Sequence, residues 1–350
     1  MSVSIREIAR LAGVSRGTVD RALNNRPGIN PQIKQQILRI ADEVGYRSNR
    51  AGRMLGLRKK PLTLGVQMPA DGNDFFLDVS EGLEEAAAEF ADAGLSLRIE
   101  TMKGYSVERQ LAQLNSLLAS GVNGLAFVPI DQPPIRSFMQ KLARQDIPVI
   151  TLNSDIADAP RLCYVGNDYT ASGRTAGGLL GLLAGDRPLE TLIITGSVQV
   201  LGHNQRIRGF SQVVREHYPH IHILDIQENQ DDDQLSEQLV ADALRRWPRL
   251  NALYLTAGGV AGACRAVRRA ADRRLKIVSF DQTRATEPLL QEGLITASIS
   301  QEPRQQGYQA IRLLFDYLLD GSQPPERVIM PNHILIREHL SHRPDSGNRG

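Results

Sequence analysis

Apolar residues recur at helical spacing in three short runs at the start of the chain. Ile5, Ile8, Ala9 and Ala12 share one face, with Ser4 and Glu7 in the spacing of a capping box and Gly13 as a stop. Ser15 stands ready to cap a second run in which Val19, Ala22 and Leu23 face inward and Arg16, Gly17, Asp20 and Arg21 face outward. A turn-rich loop, Asn24 to Ile29, leads to Asn30 and Pro31, which open a third run carrying Ile33, Ile37, Ile40, Ala41 and Val44 until Gly45 closes it. Two short helices joined by a tight turn, the second polar on its outer face, predict a helix-turn-helix on a three-helix core.

A different rhythm begins after Pro61. L-T-L-G-V-Q-M reads as a buried strand, 74–93 as a helix, L-S-L-R-I-E-T-M as a strand, 106–120 as a helix and G-L-A-F-V-P as a strand. Further strands are expected at Ile147 to Leu152, Thr191 to Thr195, Ile221 to Ile226, Ala252 to Leu255, Lys276 to Phe280 and Thr296 to Ser300, with helices between nearly all of them. Such alternation predicts an α/β protein with parallel sheets covered on both faces. About ten strands exceed one comfortable twisted sheet, so two similar lobes with a cleft at the strand ends are expected.

Charge separates the two parts. Residues 1–60 hold 13 Lys and Arg against 4 Asp and Glu, a balance of +9, whereas the remaining 290 residues sum to −7. A basic head on an acidic body suits a polyanion partner at one end only, a solvated charge run being the alternative. The chain opens with no charged-then-apolar leader, and no apolar run approaches the roughly 18 residues that cross a bilayer, so a cytoplasmic protein without membrane contact is expected. Cys163 and Cys264 stand apart and read as core thiols, with no metal site or cofactor implied.

The string A-x-L-A-G-V-S-x-x-T-V-D-R-A-L-N resembles the N-terminal signature of the lactose-repressor (LacI/GalR) family of bacterial regulators. The body resembles the ribose-type periplasmic binding fold that this family also carries, through N-D-F-F, P-V-I-T-L-N-S, Y-V-G-N-D-Y, R-I-R-G-F, S-F-D-Q-T and A-S-I-S-Q-E-P in order. The resemblance implies a headpiece at 1–47, a hinge at 48–60, a two-lobed effector-binding and dimerising domain at 61–340 and a polar tail at 341–350. By composition alone 48–60 is a basic linker; N-R-A-x-x-x-L matches the family's hinge helix, in which Leu55 is a minor-groove wedge. Gly52 makes that helix harder to form. The tail has no leucine heptads, so a homodimer is expected rather than a coiled-coil tetramer.

The implied contacts to double-stranded operator DNA are Ser4, Ser15, Arg16, Gly17, Thr18, Arg21, Asn24, Asn49, Arg50 and Leu55. In the cleft, Asp281 follows the buried run I-V-S-F, where a carboxylate accepts hydrogen bonds from vicinal hydroxyls. Its alternative is a helix cap for the segment near Thr283. Arg206 has the family's spacing before R-G-F, with Arg208 its easily confused neighbour; Asn153, Asp168 and Gln301 match ligand positions at strand ends. Phe75 and Phe76 would present a ring to a pyranose. Where ribose binders carry an Asn-Asp pair this chain has L-T-A-G-G-V-A-G, with Thr256 at the matching place, which predicts a pocket poorer in polar groups and roomier there.

Three enzyme signals fail on context. G-V-S-R-G fits a nucleophile elbow but lies in the helix-turn-helix, without a sheet beneath it. His217, His220 and His222 span a helix end, a proline and a strand start, a poor metal geometry. Gly177, Gly178 and Gly181 lack phosphate-loop spacing and read as helix-packing positions. The expected protein is a transcriptional regulator, usually a repressor, governed by a small effector that is a monosaccharide or polyol, with a nucleobase as runner-up. The rivals are a transporter's solute-binding protein and an α/β enzyme with a DNA-binding head.

Overall fold

The computed structural model describes residues 4–23, 28–44, 46, 54, 61–270 and 272–340. Asn24, Asn49, Arg50, Leu55, the cap at Gly45 and the 341–350 tail lie outside these residues, as does all of the 48–60 hinge except Met54.

The headpiece is three helices, α1 (Ile5–Ala12), α2 (Arg16–Leu23) and α3 (Pro31–Glu43). Ser4 caps α1 by accepting the Glu7 N–H at 3.3 Å, but the reciprocal half of the capping box is not made. Glu7 instead pairs with Arg10 at 2.9 Å. Gly13 leaves the helix at φ 67°, the left-handed conformation that glycine adopts without penalty. Ile8, Ala9, Ala12, Val19, Ala22, Ile37 and Ala41 form a separate small core.

The body holds two six-stranded sheets of matching strand order. Lobe 1 comprises β1 (Leu62–Met68), α4 (Phe75–Phe90), β2 (Leu95–Thr101), α5 (Val107–Ala119), β3 (Gly124–Phe127), α6 (Pro133–Arg144), β4 (Val149–Asn153) and β5 (Cys163–Asn167). The chain then crosses into lobe 2, with α7 (Tyr169–Ala184), β6 (Leu189–Thr195), α8 (Leu201–His217), β7 (Ile221–Glu228), α9 (Asp233–Arg246), β8 (Leu250–Leu255), α10 (Val260–Arg269), β9 (Lys276–Phe280), α11 (Thr286–Gln291) and β10 (Ala297–Ser300). It returns to lobe 1 for α12 (Pro303–Asp320) and β11 (Arg327–Met330), and ends in lobe 2 with β12 (His333–Leu335) and α13 (Arg337–Leu340). The sheets run β11-β5-β4-β3-β1-β2 and β12-β10-β9-β8-β6-β7. Every pairing is parallel except β10 with β12.

The α/β two-lobed architecture is therefore the expected one, with β5, β11 and β12 added. All three are short, and β11 and β12 are edge strands, so none shows a strand pattern of its own. Three crossings join the lobes and are tied together by buried amides. Asn167 donates to the Met330 carbonyl and to Asn332 at 3.0 and 3.2 Å, while Gln306 donates to Asn167 and to the Gln301 carbonyl at 2.8 and 2.9 Å. Cys163 and Cys264 are buried free thiols in separate cores. Among the described residues, no helix is long and apolar enough to cross a membrane, and no group of three His, Cys, Asp or Glu could hold a metal.

Candidate functional site

The outer face of α2 has the geometry of a DNA-reading helix. Arg16, Gly17 and Arg21 are exposed, while Val19 and Ala22 bind the helix to its core. Ser15 accepts the Thr18 N–H at 3.1 Å, and the two hydroxyls lie 2.9 Å apart. These two side chains therefore build the first turn of α2, which presents the basic face. A Cβ added at Gly17 would meet only the Ser15 hydroxyl, at 3.7 Å, so nothing inside the headpiece demands a glycine there.

The second site is a cavity of about 130 Å³ between the lobes, at the carboxyl ends of both sheets. Asn153 ends β4 and Asp281 follows β9, each the fourth strand of its lobe, and both sit in the left-handed region at φ 61° and 67°. Such a conformation at matching places in two lobes turns both side chains into the cleft. Phe75 and Phe76, from the first turn of α4, line the lobe 1 wall edge to face at 5.1 Å.

On the lobe 2 side, both carboxylate oxygens of Asp281 accept from the Gln301 amide nitrogen, at 2.9 and 2.8 Å, and the carboxylate caps no helix. Thr283 and Thr286 cap one another instead, which removes the alternative weighed from sequence. Burial pushes the Asp281 carboxyl up to about 6, with the Arg206 charge pulling the other way. Arg206 is buried, its guanidinium stacked 3.7 Å from the Phe280 ring centroid and 4.5 Å from that of Tyr169. Its terminal nitrogens bond the Thr256 carbonyl and Gln301, while Nε is buried with no hydrogen-bond partner. Arg208 is exposed on the other side of α8. A buried, unpaired N–H beside an acceptor-rich wall suits a hydroxylated ligand.

Two expectations are corrected. Asp168 is exposed and caps α7, accepting the Ala171 N–H at 2.9 Å, so it lies outside the cavity. A strand-end carboxylate and a helix N-cap look alike in sequence, and the helix begins one residue later. Thr256 is fully buried below the cavity floor, its hydroxyl bonded to Thr195 at 2.7 Å and its carbonyl to Arg206. It supports the arginine and does not line the wall.

The side predicted to be roomy and poor in polar groups is filled. Asp231, from the loop after β7, accepts the Gly258 N–H at 2.8 Å, the Tyr105 hydroxyl at 2.5 Å and the Asn73 amide at 3.3 Å. A Cβ on Gly258 would stand 2.9 Å from that of Asp231, so the glycine makes room for the carboxylate. Tyr105, Tyr169, His203 and Asp231 all line the cavity; Tyr169 closes the string Y-V-G-N-D-Y, and the other three carry no sequence motif. His203 accepts the Ser197 N–H at Nδ1 at 3.0 Å, and burial lowers its pKa to about 4, so the ring is neutral. Asp231 also joins the lobes, with Lys103 to Asp232 at 3.0 Å and Ser154 to the Gly202 N–H at 3.3 Å beside it.

Comparison with known proteins matches both parts of the chain. Residues 4–49 match the lacI family of bacterial regulatory proteins, and 64–323 match the periplasmic binding protein domain. Catabolite control protein A of Priestia megaterium is 24% identical over 345 residues, 97% of this chain and 99% of that protein. The probable repressor ExuR of Bacillus subtilis is 31% identical over 175 residues, 49% of each chain. A glucose-galactose binding protein of Geobacillus stearothermophilus superposes with a TM-score of 0.74 at 25% identity, covering 80% of this chain and 99% of that one. A putative LacI transcriptional regulator of Bacteroides fragilis gives 0.74 at 24% identity, over 81% and 100%. The chain belongs to the lacI family of bacterial regulatory proteins, a helix-turn-helix headpiece joined to a periplasmic binding protein domain.

Proposed function

We propose that this regulator is a cytoplasmic homodimeric repressor whose grip on a pseudo-palindromic operator is set by a monosaccharide or polyol bound between the lobes. One observation carries the reading: a single chain holds an exposed basic face on α2 and a cleft whose wall is shared by Asn153 of one lobe and Asp281, Arg206 and Gln301 of the other. A ligand touching both walls binds the closed arrangement better than the open one, and that difference is what linkage requires. The hinge at 48–60, with Leu55 as its minor-groove wedge and Asn49 and Arg50 beside it, transmits the difference to the headpiece.

A transporter's binding protein would use the same cleft and have no use for the headpiece. Random-sequence selection on the full chain, followed by thermal-shift screening of sugars, polyols and purines, tests the reading. Recovery of a two-fold symmetric DNA site, together with a sugar that alters its occupancy, supports it. A chain that binds sugar but selects no DNA site contradicts it. A ligand at about 100 times its dissociation constant adds about 2.7 kcal/mol, enough to read as a shift in melting.

A further inference from the structure

Asp231 stands apart from the other acidic groups around the cleft. Asp232 pairs with Lys103 at 3.0 Å, and Asp233 lies 3.6 Å from Arg265 and accepts the Gly262 N–H at 3.1 Å. Asp281 faces Arg206 through Gln301. Asp231, among the described residues, has three neutral donors and no ion pair: Gly258 N–H, Tyr105 hydroxyl and Asn73 amide. All three are donors, which fixes the group as an acceptor.

The loop is built to hold that carboxylate in place. Asn229 is fully buried, donates to the Gly258 carbonyl at 2.8 Å and accepts the Asp231 N–H at 3.0 Å. Gln230 and Asp231 both take left-handed backbone angles, φ 53° and 57°. Gly196 and Gly258 leave the space: a Cβ on Gly196 would stand 2.5 Å from an Asp231 oxygen. The charged groups lining the cavity are Asp74, Asp231, Asp233 and Asp281 against Arg206 alone, with His203 neutral. The wall is therefore acidic in excess.

We propose that Asp231 is the charge filter of the cleft, accepting a hydroxyl or ammonium donor from an uncharged or amine-bearing sugar and rejecting sugars that carry a carboxylate or phosphate. This rests on the sugar reading above. Two like charges a few Å apart in a partly buried site repel strongly enough to lower affinity by at least about tenfold.

The test is thermal-shift titration of the full chain, wild type, Asp231→Asn and Asp231→Ala, at pH 7.5. The probes are matched neutral sugars, 2-amino sugars and uronic acids of gluco, galacto and manno configuration. In wild type the responding configuration binds as the neutral or amino sugar at least about tenfold better than as the uronate, and Asp231→Asn narrows that ratio to about threefold. A uronate that binds wild type as well as its neutral parent overturns the filter while leaving the sugar reading standing. An equal loss for all three probes in the variants leaves Asp231 with its clasp between the lobes alone and overturns the filter. No response to any sugar overturns both.

Discussion

Asp281 and Arg206 both line the cleft; Asp281 is legible in the chain because its chemistry matches its place, and Arg206 because its spacing before R-G-F resembles that of the family. A carboxylate directly after a buried strand has few uses other than capping or binding, and the Thr283 and Thr286 pair removes the first. Asp168 fails by the same logic, since a cap and a ligand contact use one residue type at one kind of position. Asp231 escapes notice because Q-D-D-D reads as a solvated charge run until Gly196 and Gly258 are seen to clear space for it.

The raised Asp281 pKa has a pH signature. Folding raises it from 3.8 to about 6, so the folded state holds the proton more tightly and stability falls as pH rises from about 4 to 6. Arg206 and Asp78 are the charges that face it, and they act in opposite directions. If the effector's hydroxyls donate to the ionised carboxylate, affinity declines below about pH 6 by up to tenfold per pH unit. Calorimetric titration from pH 5 to 8 checks this, and Asp281→Asn removes the dependence. At the other site, Arg21 projects from the exposed face of α2, where arginine most often reads guanine O6 and N7. Arg21→Ala costs about 1–3 kcal/mol on the cognate operator and less on random DNA. Equal losses on both would make Arg21 a phosphate contact, leaving Arg16 to carry the sequence choice.

At the scale of elements, the helices flanking the cleft cross through glycines. Gly82 of α4 faces the Arg304 carbonyl of α12, and Gly307 of α12 faces the Val79 carbonyl, where a Cβ would stand 1.9 and 2.1 Å away. Lobe 2 repeats the device with Gly173 against Arg206 and Gly209 against Thr170. These backbone contacts hold Phe75, Phe76 and Arg206 at fixed depth. Gly307→Ala forces α4 and α12 apart and costs about 1–3 kcal/mol, as an overpacked core position does. Urea unfolding measures it, and a loss within 0.5 kcal/mol would show that the crossing yields. Of the three glycines read as packing positions, Gly177 meets Val213 and Gly181 meets Tyr218, while Gly178 faces open space. The repeated β-α rhythm makes most elements legible, since a strand buried on both faces is an aliphatic run. It fails for β5 and β11: C-Y-V-G-N passes straight into α7, and R-V-I-M is an exposed edge.

The whole molecule is two like lobes joined by three crossings, with a separate basic head. Head and lobes can be read from charge and periodicity, because each buries its own core. How the lobes are clasped cannot, because Asp231 with Tyr105 and the amides of Asn167 and Gln306 meet across more than a hundred residues of chain. Those amides tie the three crossings to one another.

The most direct test of effector control is operator binding, followed by fluorescence anisotropy, as the effector is titrated into wild type and Asp281→Ala. Losing the carboxylate leaves ligand hydroxyls unpaired at about 1–3 kcal/mol each, so the variant needs at least about tenfold more effector to change its operator affinity. Its operator affinity without effector equals that of wild type, because the headpiece folds on Ile8, Val19, Ile37 and their neighbours. A variant that folds with the wild-type melting profile and responds at the wild-type effector concentration would contradict the account.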